Sequence, residues 1–342
     1  MKERAKPFNY PMFLIICVLL CIGLVTLASA SSYSALNDYQ DSLYYFKRQI
    51  IFAVVGVAIM LAVSKFDYSR FKKFPFLTFA FGIILLGMVF VPGLGKTVNG
   101  ARRWINLGFT TFQPSEIMKI IIVISASAYI VKHNLEYRGH FIKLYGPIFL
   151  MMLCVFGIMY FQNHMSGMLV IAVAVVSVIW ASGIKITPKI IFVIVLLALV
   201  LVGWLLSSDF RRQRLLSFFN GEDDIRGSNW QATQSKYAIG TGGVFGLGLG
   251  QSRQKYLWLP EAQNDFIFSI LAEETGLVGT TAIIIVFGAF IVVGFKIAIK
   301  CKDMFGMLLA TRNNVCVCIS NNYKYMCCNM YNTSNWYATS IF

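Results

Sequence analysis

Asp265 stands immediately before an apolar run, Phe266-Ile267-Phe268-Ser269-Ile270-Leu271, with Glu273 and Glu274 just beyond it. A helix rises 1.5 Å per residue, so over this stretch Glu273 lies roughly 12 Å farther along than Asp265. A carboxylate at the mouth of an apolar segment has two readings. It is a helix N-cap that accepts from the first turn's amides, or a general base that takes a proton from a hydroxyl nucleophile. Arg102 and Arg103 beside Trp104, and Arg211 and Arg212 with Arg214 close by, form basic clusters. Each is either a contact to membrane headgroups or a site for an anionic ligand. Glu116 and Lys119 are three apart, on one helix face, as a structural ion pair or as the wall of a polar cavity.

The elements that must hold these residues follow from composition. Of 342 residues 57% are hydrophobic and only 13% charged, against roughly 25% charged in soluble domains. No globule of this size has interior enough for that much apolar surface, which excludes a disordered chain, a coiled coil and an ordinary cytosolic enzyme. Stretches long enough to cross hydrocarbon run at about 11–31, 48–64, 74–92, 114–132, 144–161, 167–183, 188–207 and 266–295. The reading is an all-α polytopic membrane protein with eight recognisable transmembrane helices, the first retained rather than cleaved as a signal peptide.

The net charge of +15 would point to nucleic acid in a soluble protein, but its placement says otherwise. Basic residues gather in alternate connections. They are Lys2, Arg4 and Lys6; Lys65, Arg70, Lys72 and Lys73; Lys132, Arg138 and Lys143; Lys185 and Lys189; and Lys296, Lys300 and Lys302. The intervening connections 32–46 and 162–166 have none. The N-terminus is therefore cytoplasmic, which places 93–113 and the long loop 208–265, between helices 7 and 8, outside. Asp265 then sits at the outer mouth and the glutamates within the bilayer. The segment Gly240 to Gly250 carries six glycines but lacks the pattern and context of a phosphate-binding loop. It reads as a bendable external segment lying against lipid or substrate.

Four motifs then occur in order. They are Asn99-Gly100-Ala101-Arg102-Arg103-Trp104-Ile105; Phe112-Gln113-Pro114-Ser115-Glu116-Ile117-Met118-Lys119; Tyr237 to Gly243 with Gly246-Leu247-Gly248-Leu249-Gly250; and Leu259-Pro260-Glu261-Ala262-Gln263-Asn264-Asp265-Phe266 with Ala272-Glu273-Glu274. Together they resemble the SEDS family (shape, elongation, division, sporulation) of peptidoglycan polymerases. Gln162-Asn163-His164-Met165-Ser166-Gly167 is more similar to the FtsW and SpoVE division and sporulation branch than to RodA, with Asn163 where the family usually has Pro.

The resemblance implies a ten-span glycosyltransferase of the bacterial cytoplasmic membrane that polymerises lipid II, an undecaprenyl-pyrophosphate disaccharide, on the outer face. It implies a class B penicillin-binding protein, a transpeptidase, as partner. It also matches the family's essential aspartate to Asp265 and its essential tryptophan to Trp104. Arg102, Arg103, Arg211, Arg212 and Arg214 become candidates to meet the pyrophosphate, with Glu116 and Lys119 lining the same cavity. A divalent cation could share that task, although no His/Cys cluster has ligand spacing. A lipid II flippase or transporter, and an inactive truncated product, remain alternatives.

The family-like domain runs over 1–311. After Thr311 the composition changes: 312–342 holds seven Asn, four Tyr and the cysteines Cys316, Cys318, Cys327 and Cys328, with no run long enough to span. Back-translated with permitted codons and read one base later, 312–342 can give an apolar stretch and a Pro-Val-Thr-Gly-x-Pro-Leu-Pro-Phe type of signature, so the tail is expected to arise from a frameshift. Cys17, Cys21, Cys154 and Cys301 read as small apolar residues in or beside spans.

Overall fold

The computed structural model describes residues 9–98, 101–106, 108, 111–133, 136, 140–183, 203, 230–256, 258–259, 262–264, 266–311 and 314–315, with the backbone alone at Phe141, Met165 and Ala232. The expected span at 188–207, the arginines Arg211, Arg212 and Arg214, Asp265 itself and the tail from Cys316 lie outside the described residues. Those described fall into two compact units. One draws on Met1–Ser64 and Ile186–Phe290, the other on Lys65–Lys185 and Ile291–Ser320.

In the first unit, α1 (Tyr10–Tyr39) and α2 (Tyr44–Ser64) pack as neighbours. Both are long and apolar enough to cross a membrane. Only Thr26, Ala30, Ser31 and Ala35 are buried on α1 and nothing is buried on α2, the pattern of helices whose apolar sides meet lipid. Helix α1 outruns the expected span 11–31 because a polar, aromatic stretch continues it. Tyr39 stacks on Tyr44 at 3.9 Å, with Tyr45 edge-on at 5.7 Å to Tyr39, an arrangement that suits a membrane–water boundary.

The second unit holds α3 (Pro75–Gly87), α4 (Pro114–His133), α5 (Phe141–Phe161) and α6 (Met165–Ala181). Gly82 lets α3 approach α4, for a Cβ there would meet the side chains of Met118 and Ile121. Gly82 thus serves the packing of α3 on this chain's own α4. The connection after α3 departs from a purely helical reading. It folds into an antiparallel sheet of β1 (Gly95–Val98), β2 (Ala101–Asn106) and β3 (Thr111–Phe112), in that order. Along β2 Ala101 and Ile105 are buried and the three residues between them half-buried, and pairing on both sides satisfies backbone groups that a loop would leave open.

Farther along lie α7 (Trp230–Thr241) and α8 (Ile267–Lys300), and a short helical stretch follows over 304–311. Helix α8 covers the expected span 266–295 but is broken at Gly276, whose φ of 65° and ψ of −166° fall in a region essentially reserved for glycine. The break opens the rungs that Leu277 and Val278 would make to Glu273 and Glu274. The glycine-rich segment closes them. Leu247 and Gly248 donate to the carbonyls of Glu273 and Glu274, both at 3.0 Å. Leu277 and Val278 donate to Gly243 and Val244 at 3.0 and 3.1 Å. The segment expected to be bendable is therefore pinned along α8, and glycine is required for close approach rather than for mobility. A Cβ at Gly242 would fall on the Ala272 carbonyl, and one at Gly246 on that of Glu274.

Gly276→Ala and Gly246→Ala are expected to lower stability by about 2 kcal/mol or more, from a forbidden backbone region and backbone overlap. Gly288→Ala, where nothing lies within 4 Å, serves as the neutral control. Thermal unfolding in detergent micelles checks the difference.

Candidate functional site

The pairing of β2 with β1 decides what each residue of Arg102-Arg103-Trp104 can reach. Trp104 lies opposite Lys96 and Arg102 opposite Thr97, with a register shift between Lys96 and Thr97 that leaves Arg103 as the extra residue of a bulge. Neighbours on β1 point to opposite faces, so Trp104 and Arg102 do too. The two arginines reach different partners. Arg103 donates from Nε to the Gln162 carbonyl at 3.2 Å and from Nη2 to the Asn163 carbonyl, bracing the turn between α5 and α6. Arg102 donates weakly to the Val91 carbonyl at 3.4 Å, and its buried Nε has no hydrogen-bond partner among the described residues.

That turn carries groups whose convergence the sequence did not reveal. Gln162, 1% exposed, donates to the Leu86 carbonyl at 3.1 Å. Asn163 adopts φ 51°, a left-handed conformation that asparagine tolerates and that proline, fixed near −65°, cannot enter. His164 is 6% exposed, with Nδ1 3.3 Å from Gln113 Nε2. Burial, reinforced by the charges of Arg103 and Lys119, lowers its pKa from 6.5 to about 4, so the ring is neutral at physiological pH. Lys119 pairs with Glu116 at 2.7 Å, the glutamate more than half exposed. The pair joins two residues of α4 near its start and adds little stability.

Around Asp265, in the first unit, the flanking chain is held from both sides. Leu259 and Ala262 before it, and Ile270 after it, form a buried cluster with Ala30 of α1, and Phe266 and Ile267 pack against it. Ser235 of α7 and Ser269 of α8 bond at 2.6 Å, and Trp230 Nε1 donates to the Trp258 carbonyl at 3.2 Å. Glu273 is wholly buried and accepts from Ser252 Oγ at 2.5 Å, Arg253 N at 3.0 Å and Gln254 N at 3.4 Å. Glu274 accepts from Ser29 Oγ and lies 3.9 Å from Lys255 Nζ. The two glutamates therefore serve as internal ties for the turn at 252–255, each carboxylate compensated by the donors a buried charge needs. Among the described residues no group of three or more His, Cys, Asp and Glu side chains converges as a metal site.

The family model described as cell cycle protein, FtsW/RodA/SpoVE, matches residues 10–326. The chain belongs to this family. It is 35% identical over 302 residues to stage V sporulation protein E of Bacillus subtilis (strain 168), covering 87% of this chain and 81% of that protein. It is 33% identical over 314 residues to the probable peptidoglycan glycosyltransferase FtsW of Trichlorobacter lovleyi, covering 90% and 80%. Its fold is similar to that of a chain in a peptidoglycan synthase complex described as coordinating polymerization and crosslinking, with a TM-score of 0.72 and 21% identity over 94% of this chain and 87% of that one. The match shared with other FtsW/RodA/SpoVE members thus takes in the sheet, the α5–α6 turn and the α8 break.

Two outcomes test the turn. Asn163→Pro is expected to destabilise the protein by on the order of 3 kcal/mol while Asn163→Gly is near neutral, read as melting temperatures. The unfolded chain binds a proton at His164 below pH 6.5 and the folded chain only near 4. Stability should therefore fall as pH drops through that window, by up to roughly 1.4 kcal/mol per unit. His164→Gln should flatten the pH dependence of the melting temperature there.

Proposed function

We propose that the chain is a peptidoglycan glycosyltransferase that joins lipid II units into glycan strands on the outer face of the cytoplasmic membrane, in division or sporulation. The observation that carries this reading is the fixed setting of the chain on either side of Asp265. Leu259, Ala262 and Ile270 are anchored to α1, and Glu273 ties the preceding turn, within a chain that matches the family along nearly its whole length. Rigid support of this kind is what a general base requires, because proton transfer tolerates little misplacement.

In the proposed reaction the Asp265 carboxylate accepts the proton of the acceptor sugar's hydroxyl. That oxygen forms a bond to the anomeric carbon of the donor, whose bond to the pyrophosphate oxygen breaks and leaves its electron pair with the polyprenyl pyrophosphate. Trp104 offers an aromatic face for a sugar ring. Arg102, whose guanidinium makes only a weak bond to the Val91 carbonyl, is assigned to meet anionic charge in preference to Arg103, whose guanidinium is committed to two carbonyls. Arg211 and Arg212 in the long loop are assigned the same supporting task, and Glu116 with Lys119 the lining of the cavity. A class B penicillin-binding protein is the proposed partner, crosslinking the strands as they form.

The purified chain, supplied with lipid II alone and with the transpeptidase, should yield glycan strands. Asp265→Asn keeps the side chain's shape and removes the base, so strand formation should fall by about 100-fold or more. Lipid II carried across vesicles with no strands formed, and indifferent to Asp265→Asn, would instead mark a transporter.

A further inference from the structure

Between α2 and α3, the ten residues Lys65 to Phe74 hold four cations and four aromatic rings. Within them Tyr68–Lys72 coil into a short 3-10 turn, capped by the Asp67 carboxylate, which accepts from Ser69 N at 2.9 Å. At three residues per turn, side chains three apart stand in one row. Lys72 belongs to a row that is fastened inward. Its Nζ pairs with Asp303 Oδ1 at 2.7 Å and sits 5.5 Å from the centre of the Phe305 ring, and Tyr68 stacks on that same ring at 6.1 Å. Phe305 is wholly buried, so this clasp ties the turn to the chain just beyond α8, within the second unit.

Arg70 and Lys73 share another row with the capping Asp67. Both are exposed, and neither forms a salt bridge among the described residues. Arg70 lies instead 5.0 Å over the ring of Phe66. Phe66, Phe71 and Phe74 are 47%, 37% and 60% exposed. Lys296 and Lys300, one turn apart on α8, and Lys302 add exposed positive charge on the side that the clasp joins. Open phenylalanines interleaved with uncompensated cations suit one environment, the membrane interface, where rings enter the acyl boundary and cations meet phosphate.

We infer that this turn seats an anionic phospholipid, with its phosphodiester against Arg70 and Lys73 and its acyl chains along Phe66, Phe71 and Phe74. By the distribution of basic connections the seat belongs to the cytoplasmic leaflet. That distribution accounts for the number of lysines and arginines but not for the rings between them. Nor does it account for a clasp that holds the turn level with the start of α3 and the end of α8, where headgroups lie. The same two features favour lipid over an acidic soluble protein, which would not need three rings open beside the hydrocarbon. Asp265 has no part in the inference, which stands apart from the polymerase reading.

The test titrates the full chain in non-ionic detergent with phosphatidylglycerol and, separately, phosphatidylcholine, counting retained lipid by native mass spectrometry. Phosphatidylglycerol should be retained saturably and about tenfold more tightly, and that preference should shrink as salt is raised. Arg70→Gln and Lys73→Gln should each weaken its retention about fivefold. Lys143→Gln removes the same charge from an exposed site at the start of α5 and should change nothing. Phe74→Ser should weaken retention about tenfold, and neither poly-glutamate nor soluble glycerophosphoglycerol should displace the lipid. Melting temperatures of the variants separate loss of the seat from loss of the fold, and the salt series on the unaltered chain needs no variant. Equal retention of the two lipids, a preference indifferent to salt, or an equal loss on Lys143→Gln overturns the inference. Displacement by poly-glutamate also overturns it, in favour of an acidic protein, and displacement by glycerophosphoglycerol does so in favour of a free phosphodiester.

Discussion

Backbone amides and carbonyls in hydrocarbon have no water to turn to, so a helix interrupted there must find other backbone to close its opened rungs. In this protein α8 is interrupted at Gly276, and the segment Gly243 to Gly248 supplies two acceptors and two donors in register with the gap. That exchange sets the path of everything between α7 and α8. It fixes where the turn at 252–255 begins, brings Ser252 and the amides of Arg253 and Gln254 onto Glu273, and so determines how the chain leads toward Asp265.

The buried glutamates follow from the same arrangement. A carboxylate with no exposed surface is tolerable only when donors surround it, and here these come from the turn that the glycine segment delivers. From sequence alone Glu273 and Glu274 are simply carboxylates within the bilayer. Their hydrogen bonds make them part of the scaffold that holds the turn at 252–255.

The other unit solves a parallel problem with a side chain. Its connection between α3 and α4 forms a sheet, and Arg103 reaches from β2 to the α5–α6 turn to satisfy two carbonyls there. The turn owes its shape to Asn163 in a left-handed conformation, one that proline could not adopt. His164, neutral in its buried setting, packs beside Gly167, where a Cβ would fall on the imidazole ring.

Much of the architecture was legible in the chain. Long apolar runs bounded by charge, Pro or Gly mark the helices because the bilayer imposes a length, and the order of the motifs around Trp104, Glu116, the glycines and Asp265 marks the family. Periodicity could not disclose the sheet, since its strands are short and β2 has no alternating burial. Nor could spacing tell that Arg102 and Arg103 diverge, that Gly276 breaks a helix, or that residues some 30 positions apart, such as Val244 and Val278, share hydrogen bonds. Local composition determines which segments enter lipid, because that depends on each residue's own transfer energy. Which backbone closes a gap, and which carboxylate is tied down, depends on partners distant in sequence, and only the folded chain brings those together.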